Sequence, residues 1–158
     1  MSFFDYPNEQ PAASGQVEQL LADASEADWA TLLRYTRYRR FGPGEVVVTA
    51  GERERSLYLV LEGELEVLAD QGRRRQRRIA TIATGSVLGE LSFFDGGARS
   101  ATVRTTTPAL LAELSPTEFD ALAAANPELA KRLLLDLGRI LAQRLRDTQR
   151  RASTAGIN

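Results

Sequence analysis

Apolar residues change their spacing twice along this chain, and the changes divide it into three stretches. In the first, Leu20, Leu21, Trp29, Leu32 and Leu33 are the apolar positions, and Gln16 to Arg37 is expected to be helical. Ser25, followed three residues later by Asp28, marks the start of a second helix inside that stretch. From Tyr38 to Leu114 the rhythm shortens to strands, predicted at Glu45 to Thr49, Ser56 to Leu61, Glu64 to Ala69, Arg77 to Ala83, Arg99 to Thr105 and Ala109 to Leu114. Gly42-Pro43-Gly44, Gly51-Glu52, Glu62-Gly63, Gly72, Thr84-Gly85 and Thr107-Pro108 mark the turns. Short antiparallel strands with regular breaks imply a β-roll of jelly-roll type. In the third stretch, Ser115-Pro116-Thr117-Glu118 opens a helix with proline in its first turn, carrying Phe119 and Leu122. Asn126-Pro127-Glu128 opens another, predicted to run to about Arg150.

The fold expected is therefore mainly β with flanking helices: an antiparallel β-roll (double-stranded β-helix or jelly roll) with N-terminal helices and a long C-terminal helix. Residues 1–15, with Pro7, Pro11, Ser14 and Gly15, read as a loose arm whose Phe3, Phe4 and Tyr6 could dock elsewhere. One domain is expected over 16–151, with the roll at about 38–114 and C-terminal helices at about 116–151, followed by a tail at 152–158. On the last helix, Leu129, Leu133, Leu134, Leu137, Ile140, Leu141 and Leu145 form a stripe too wide for a single contact face. One side can pack on the roll and the other on a second subunit, so a homodimer through this helix is expected. A helix docked only on its own roll is the alternative.

Composition narrows the chemistry. At 158 residues, 43% hydrophobic and 26% charged, the chain has an ordinary globular balance, and a net charge of −1 exerts no global pull toward nucleic acid. No apolar run approaches the ~20 residues that a membrane helix needs. The start, Met1 to Pro7, has no basic region followed by an apolar core. A cytoplasmic protein without membrane contact is expected. Cys and His are absent and the single Met is the first residue, which removes disulfides, thiolate nucleophiles, His general bases, Cys/His zinc sites and the usual haem and iron–sulfur ligands. No metal site is expected. Gly72-Arg73-Arg74-Arg75-Gln76-Arg77-Arg78 is the densest charge run; it lies between predicted strands without interleaved aromatics, so it reads as a solvated hairpin, with an acidic partner as the alternative.

The most informative chemistry lies in residues 85–103. Gly89 permits close approach of the backbone to a ligand, and Gly96 with Gly97 permits a tight return. Glu90 to Phe94 makes about one and a half turns if helical. Arg99 precedes the strand-like Ser100-Ala101-Thr102-Val103, which would hold its guanidinium on a rigid element. A planar fork of donors suits a phosphate, and Ser100 can add a hydroxyl. Glu90 beside an anion makes sense if it accepts hydrogen bonds from sugar hydroxyls. Phosphate plus ribose is the simplest ligand that uses both charges. The alternative is an ordinary surface ion pair beside a glycine turn.

The order Gly89-Glu90-Leu91-Ser92, then apolar and small residues, then Arg99-Ser100-Ala101, resembles the phosphate-binding cassette of the cyclic nucleotide-binding domain family. The resemblance extends through the strand and turn order from Phe41 to Leu114. It implies that Glu90 takes the ribose 2′-hydroxyl and Arg99 the cyclic phosphate, with Gly89, Leu91, Ser92 and Ser100 adding backbone and hydroxyl contacts. It also implies that Val67, Ile79, Ala80 and Leu88 line the base pocket, although apolar residues there equally suit a core. A gap-free match from Asn126-Pro127 to the bacterial transcription-factor branch sets Arg144 where that branch has a threonine that contacts adenine. An arginine there could stack on a purine, and Thr148, one turn on, is the polar alternative. Ser100 suits guanine in its syn form but also occurs in bacterial cAMP-binding relatives, so cAMP is favoured as ligand, with cGMP the alternative.

The function implied is a non-catalytic receptor in which ligand binding shifts the final helix and signals to a partner or dimer through an effector that the sequence does not identify. Transcription-factor relatives carry a helix-turn-helix beyond the long helix, whereas this sequence stops eight residues after Arg150, so direct DNA binding by that route is not expected. The competing reading is a ligand-free β-roll serving as a scaffold, dimerisation or docking protein. An enzyme is not expected, because the sequence offers no His, dense carboxylate cluster or activated nucleophile.

Overall fold

A computed structural model describes residues 19–70 and 75–155. The expected arm with Phe3, Phe4 and Tyr6, the tip of the arginine run including Arg73 and Arg74, and the end of the tail lie outside the described residues.

The first helix is shorter than its sequence pattern suggested. Helix α1 spans Glu26–Leu33 and begins where Ser25 caps it: Ser25 Oγ accepts the Asp28 N–H at 3.1 Å, and the Asp28 carboxylate accepts the Ser25 N–H at 3.3 Å. Upstream, Leu20 and Leu21 are buried by a turn instead of a helix. Leu20 N–H donates to Gly85 O at 2.9 Å, and Leu21 N–H donates to the Asp136 carboxylate at 2.5 Å. These bonds hold Leu21 at φ +50°, a left-handed conformation that costs a non-glycine residue roughly 1–3 kcal/mol. Downstream, the chain enters strand β1 (Arg37–Phe41), whose first residue closes the stretch expected to be helical and whose remainder lies ahead of the first expected strand. Arg-Tyr-Arg-Arg-Phe shows no alternation because β1 lies at a sheet edge, where four of its residues face solvent.

Two four-stranded antiparallel sheets form the roll. The remaining strands are β2 (Val46–Val48), β3 (Leu57–Glu62), β4 (Leu65–Asp70), β5 (Gln76–Ile82), β6 (Val87–Leu88), β7 (Thr102–Thr105) and β8 (Ala109–Leu114), with helix α2 (Glu90–Asp95) between β6 and β7. One sheet has the order β1-β8-β3-β6 and the other β2-β7-β4-β5. This is the β-roll that the turn spacing implied. The two-residue β6 was not anticipated, being too short to show a period.

Strand β3 explains how the core is divided. Tyr58 and Val60 point into the roll with Val67, Leu88 and Val103, whereas Leu57 and Leu59 point outward to meet the helices. Both faces are buried, so the strand reads as a continuous apolar run. The helical layer consists of α3 (Pro116–Ala125) and α4 (Pro127–Ala155). Ser115 and Glu118 form a second capping box, and Asn126 Oδ1 accepts the Leu129 N–H at 3.1 Å to start α4. Leu129, Leu133, Leu137 and Ile140 are buried against the roll, whereas Leu134 and Leu135 face outward, 38% and 66% exposed. The wide stripe therefore resolves into a packed face and an open flank. Helix α4 also extends past the expected end at Arg150.

Candidate functional site

Two glycines and an arginine shape the cassette. Gly89 (φ +82°) precedes α2, and a Cβ there would meet Arg99 Nη1 at 2.5 Å and Ser56 O at 2.8 Å. Glycine at this position is what lets the arginine lie against the chain. Gly96 (φ +70°) ends α2 and returns the chain toward Arg99. Arg55 then satisfies the helix's C-terminal carbonyls, donating to Ser92 O at 3.3 Å and Phe93 O at 3.2 Å.

Arg99 does not stand on a strand, as the sequence reading had it, because β7 begins only at Thr102. Its rigidity comes from the β2–β3 loop. Arg99 N–H donates to Glu52 O at 2.7 Å, and Arg99 O accepts the Gly51 N–H at 2.9 Å. Only 4% exposed, Arg99 directs Nη1 to Gly89 O at 3.0 Å and Nη2 to Ser56 O at 2.7 Å, and Nη2 also donates to the Glu54 carboxylate. Val48, Gly89, Leu91, Ser92, Arg99 and Ser100 border a cavity of about 10 Å³ beside it. The expected cassette residues Gly89, Leu91, Ser92, Arg99 and Ser100 are thus brought to one place.

Glu90, the first residue of α2, lies at the other end of the same segment. It is 2% exposed, and its Oε1 accepts a 2.5 Å hydrogen bond from Arg144 Nη1, reaching across from α4. Arg144 Nη2 also donates to Ser86 Oγ at 3.2 Å and Val87 O at 3.1 Å. Arg144 therefore engages the glutamate of the cassette. Thr148 Oγ1 donates to Arg144 O at 3.0 Å, turning back along its own helix. Of the residues suggested for the base, Val67, Ala80 and Leu88 are fully buried in the roll core and Ile79 packs against its edge; none borders the cavity beside Arg99.

Two polar atoms of this site are buried without a hydrogen-bond partner among the described residues: Arg99 Nε, a donor, and Glu90 Oε2, an acceptor. Buried polar groups are rarely left unsatisfied, and each carries a desolvation cost of about 1–3 kcal/mol. A ligand that offers an anionic oxygen to one and a hydroxyl to the other satisfies both.

Sequence reasoning missed Glu54. It sits in Glu52-Arg53-Glu54-Arg55, whose alternating charges look like a solvated loop. Burial alone would raise its carboxyl pKa, but hydrogen bonds from Ser56 and Arg99 and the charge of Arg99 outweigh that and hold it below the ordinary value. Nearby, burial pushes the Tyr58 phenol up to about 12, with the charges of Glu54 and Glu113 adding to the effect. Ser56 Oγ donates to Glu113 at 3.1 Å, and Arg39 pairs with the same carboxylate at 3.0 Å, so a polar network runs from strand β1 to the arginine.

Comparison with known proteins agrees with this geometry. Residues 38–126 match the cyclic nucleotide-binding domain profile. The chain is 31% identical over 127 residues to the cAMP-activated global transcriptional regulator CRP of Haemophilus influenzae, covering 80% of this chain and 54% of that regulator. It thus spans about half the length of that curated relative. Among solved structures, a cyclic nucleotide-binding domain from Methylobacillus flagellatus superimposes with a TM-score of 0.77 at 28% identity, covering 89% of this chain and 79% of that one. The c-di-GMP responsive global regulator CLP of Xanthomonas campestris superimposes with a TM-score of 0.73 at 28% identity, covering 85% and 66%. With its β-roll, its Gly89–Ser100 cassette and a profile match over more than half its length, the chain belongs to the cyclic nucleotide-binding domain family.

Proposed function

We propose that this protein is a non-catalytic cyclic nucleotide receptor, with cAMP its favoured ligand and cGMP the alternative, and that occupancy is signalled through helix α4. The observation that carries this reading is the pair of unsatisfied buried atoms. Arg99 Nε can donate to a cyclic phosphate and Glu90 Oε2 can accept from a ribose 2′-hydroxyl, at opposite ends of one cassette. Gly89, Leu91, Ser92 and Ser100 complete the phosphate and ribose contacts. The base then lies toward Val67, Ile79, Ala80 and Leu88, with Arg144 and Thr148 on the α4 side.

A cavity of about 10 Å³ is far below the roughly 300 Å³ or more of a typical small-molecule site, so nucleotide entry requires the cassette or α4 to move. Because Arg144 joins α4 to Glu90, a change at the ribose end reaches the helix directly. Such a shift follows only if the ligand binds one helix position more tightly than the other. The outward Leu134 and Leu135 support a homodimer through α4, with a further effector reading the change. The proposed setting is the cytoplasm; among the described residues, no helix is long and apolar enough to cross a membrane.

A scaffold without ligand is the second reading. It is favoured by one observation: both cassette charges already have internal partners, Glu54 for Arg99 and Arg144 for Glu90.

Titration calorimetry with cAMP, cGMP, c-di-GMP and linear AMP tests the choice. Micromolar or tighter binding of a cyclic mononucleotide, with none for AMP, is the expected result. Silence for all four overturns the receptor in favour of the scaffold.

A further inference from the structure

We propose that Glu54 is an internal competitor for the phosphate subsite: its carboxylate sits on Arg99 as a tethered anion that the ligand's phosphate must displace. The inference rests on the cyclic-nucleotide reading of the cassette and adds a gate to it.

The hydrogen bonds of Arg99 suggest the exchange. A guanidinium grips a phosphate side-on through Nε and Nη2 together. Here Nε is buried and unpartnered, whereas Nη2 is shared between Ser56 O and the Glu54 carboxylate. The edge needed for a two-point grip is therefore half taken, and the group taking it carries the same sign of charge as the ligand. Withdrawal of Glu54 leaves Nε and Nη2 available side by side.

The two partners differ in what leaving would cost. The Arg99 side chain is 2% exposed, and its backbone is fixed to Gly51 and Glu52, so it cannot follow a departing partner into water. The Glu54 side chain is 40% exposed, and its other oxygen accepts the Ser56 N–H at 2.7 Å, a bond within its own loop. A change of rotamer takes the carboxylate to solvent while the loop backbone stays tied to Arg99. The charged and titratable groups around it come from every side of the cleft: Arg99 from the cassette, the neutral Tyr58 from β3, Glu113 from β8 and Arg39 from β1.

The gate also bears on selectivity. With Glu54 in place an incoming anion meets a neutral pair and not a bare cation, and the tethered carboxylate competes at the effective concentration of an intramolecular group. A small anion offering a single contact does not overcome that. A ligand that brings several phosphate oxygens and a hydroxyl for Glu90 Oε2 does. Glu54 thus suppresses occupation of Arg99 by simple anions.

The test compares wild type, Glu54→Gln and Glu52→Gln in calorimetric titrations with cAMP and cGMP, with melting curves to establish folding. Glu54→Gln keeps an acceptor for the Ser56 N–H but removes the competing charge. Glu52→Gln makes the same change in net charge on the same loop, where Glu52 meets Arg99 through its backbone oxygen. The expected result is about tenfold tighter nucleotide binding by Glu54→Gln, equivalent to about 1.4 kcal/mol, and affinity unchanged for Glu52→Gln. Carboxyl NMR of the wild type should show the Glu54 pKa moving up toward the ordinary glutamate value once nucleotide is saturating. If the wild type binds and Glu54→Gln binds equally or more weakly, Glu54 orients Arg99 and the gate is overturned. An equal gain in Glu52→Gln also overturns it, because bulk charge would then be responsible. No heat from any of the three proteins overturns the cyclic-nucleotide reading, and the gate falls with it.

Discussion

The two charged residues of the cassette are nine positions apart, and their partners treat them differently. At the proposed ribose end, Glu90 and Arg144 are both sealed, with side chains 2% and 4% exposed. At the proposed phosphate end, the buried Arg99 faces a Glu54 side chain that is 40% exposed. A sealed pair can separate only if the elements that bury it move, because an isolated charge left inside is costly. A pair with one partner in contact with water can exchange that partner at little cost. Glu90 therefore links the cassette to α4, whereas Arg99 is where we propose that an anion changes places.

The largest expected effects test the sealed pair and the proposed phosphate ligand Arg99. Arg144→Met leaves Glu90 buried without its partner and should destabilise the fold by about 3–5 kcal/mol in urea unfolding. Adding Glu90→Gln should restore much of that loss; if the double variant is no more stable than the single one, the pair is not the coupling element. Arg99→Ala should retain the roll but lose about 3–5 kcal/mol of nucleotide binding by calorimetry, and unchanged affinity would remove the phosphate role. Gly89→Ala, forced into a left-handed position against Arg99 and Ser56, should lose roughly 1–3 kcal/mol of stability together with nucleotide affinity. A normal melting temperature in that variant would mean that the cassette relaxes more easily than its contacts suggest.

Smaller effects sharpen the contrast at the open end. Ser100 is exposed, so Ser100→Ala should alter stability by no more than about 0.5 kcal/mol while weakening nucleotide binding severalfold. Glu54 has a carboxyl pKa below its ordinary value, so its ion pair contributes stability above the unfolded pKa and loses that contribution as pH falls through the folded one. Wild type should therefore lose stability on acidification more steeply than Glu54→Gln in parallel melting series. Identical acid limbs would show that the pair adds nothing to the fold.

How much of this could be read from the sequence depended on whether the determining contact was local. The capping boxes at Ser25 and Ser115 each lie within four consecutive residues and were legible, as were the turns that define the roll. The cassette was legible because its residues follow in an unbroken order between Gly89 and Ser100. Strand β1 was not, since an edge strand exposed along its length has no apolar period to reveal it. Leu20 and Leu21 looked helical because burial of two leucines by a turn depends on Gly85 and Asp136, far along the chain. The same reason hid the partners of the cassette. Arg144 lies 54 positions from Glu90 and Glu54 45 from Arg99, so both pairs exist only once the roll has closed. The identity of Arg144 suggested contact with a base, and nothing in the sequence pointed to its ion pair with Glu90.

Glu54, Arg55 and Ser56 are consecutive, and together they hold two parts of the cassette: Glu54 and the Ser56 backbone oxygen hold the guanidinium of Arg99, and Arg55 holds two carbonyls of α2. The loop acts as a ruler whose graduations are single residues. Replacing one side chain erases one mark, whereas inserting one residue misaligns every mark after it. This segment should therefore tolerate changes of composition far better than changes of length, and anyone grafting the cassette onto another roll would have to transplant both stretches as a matched set.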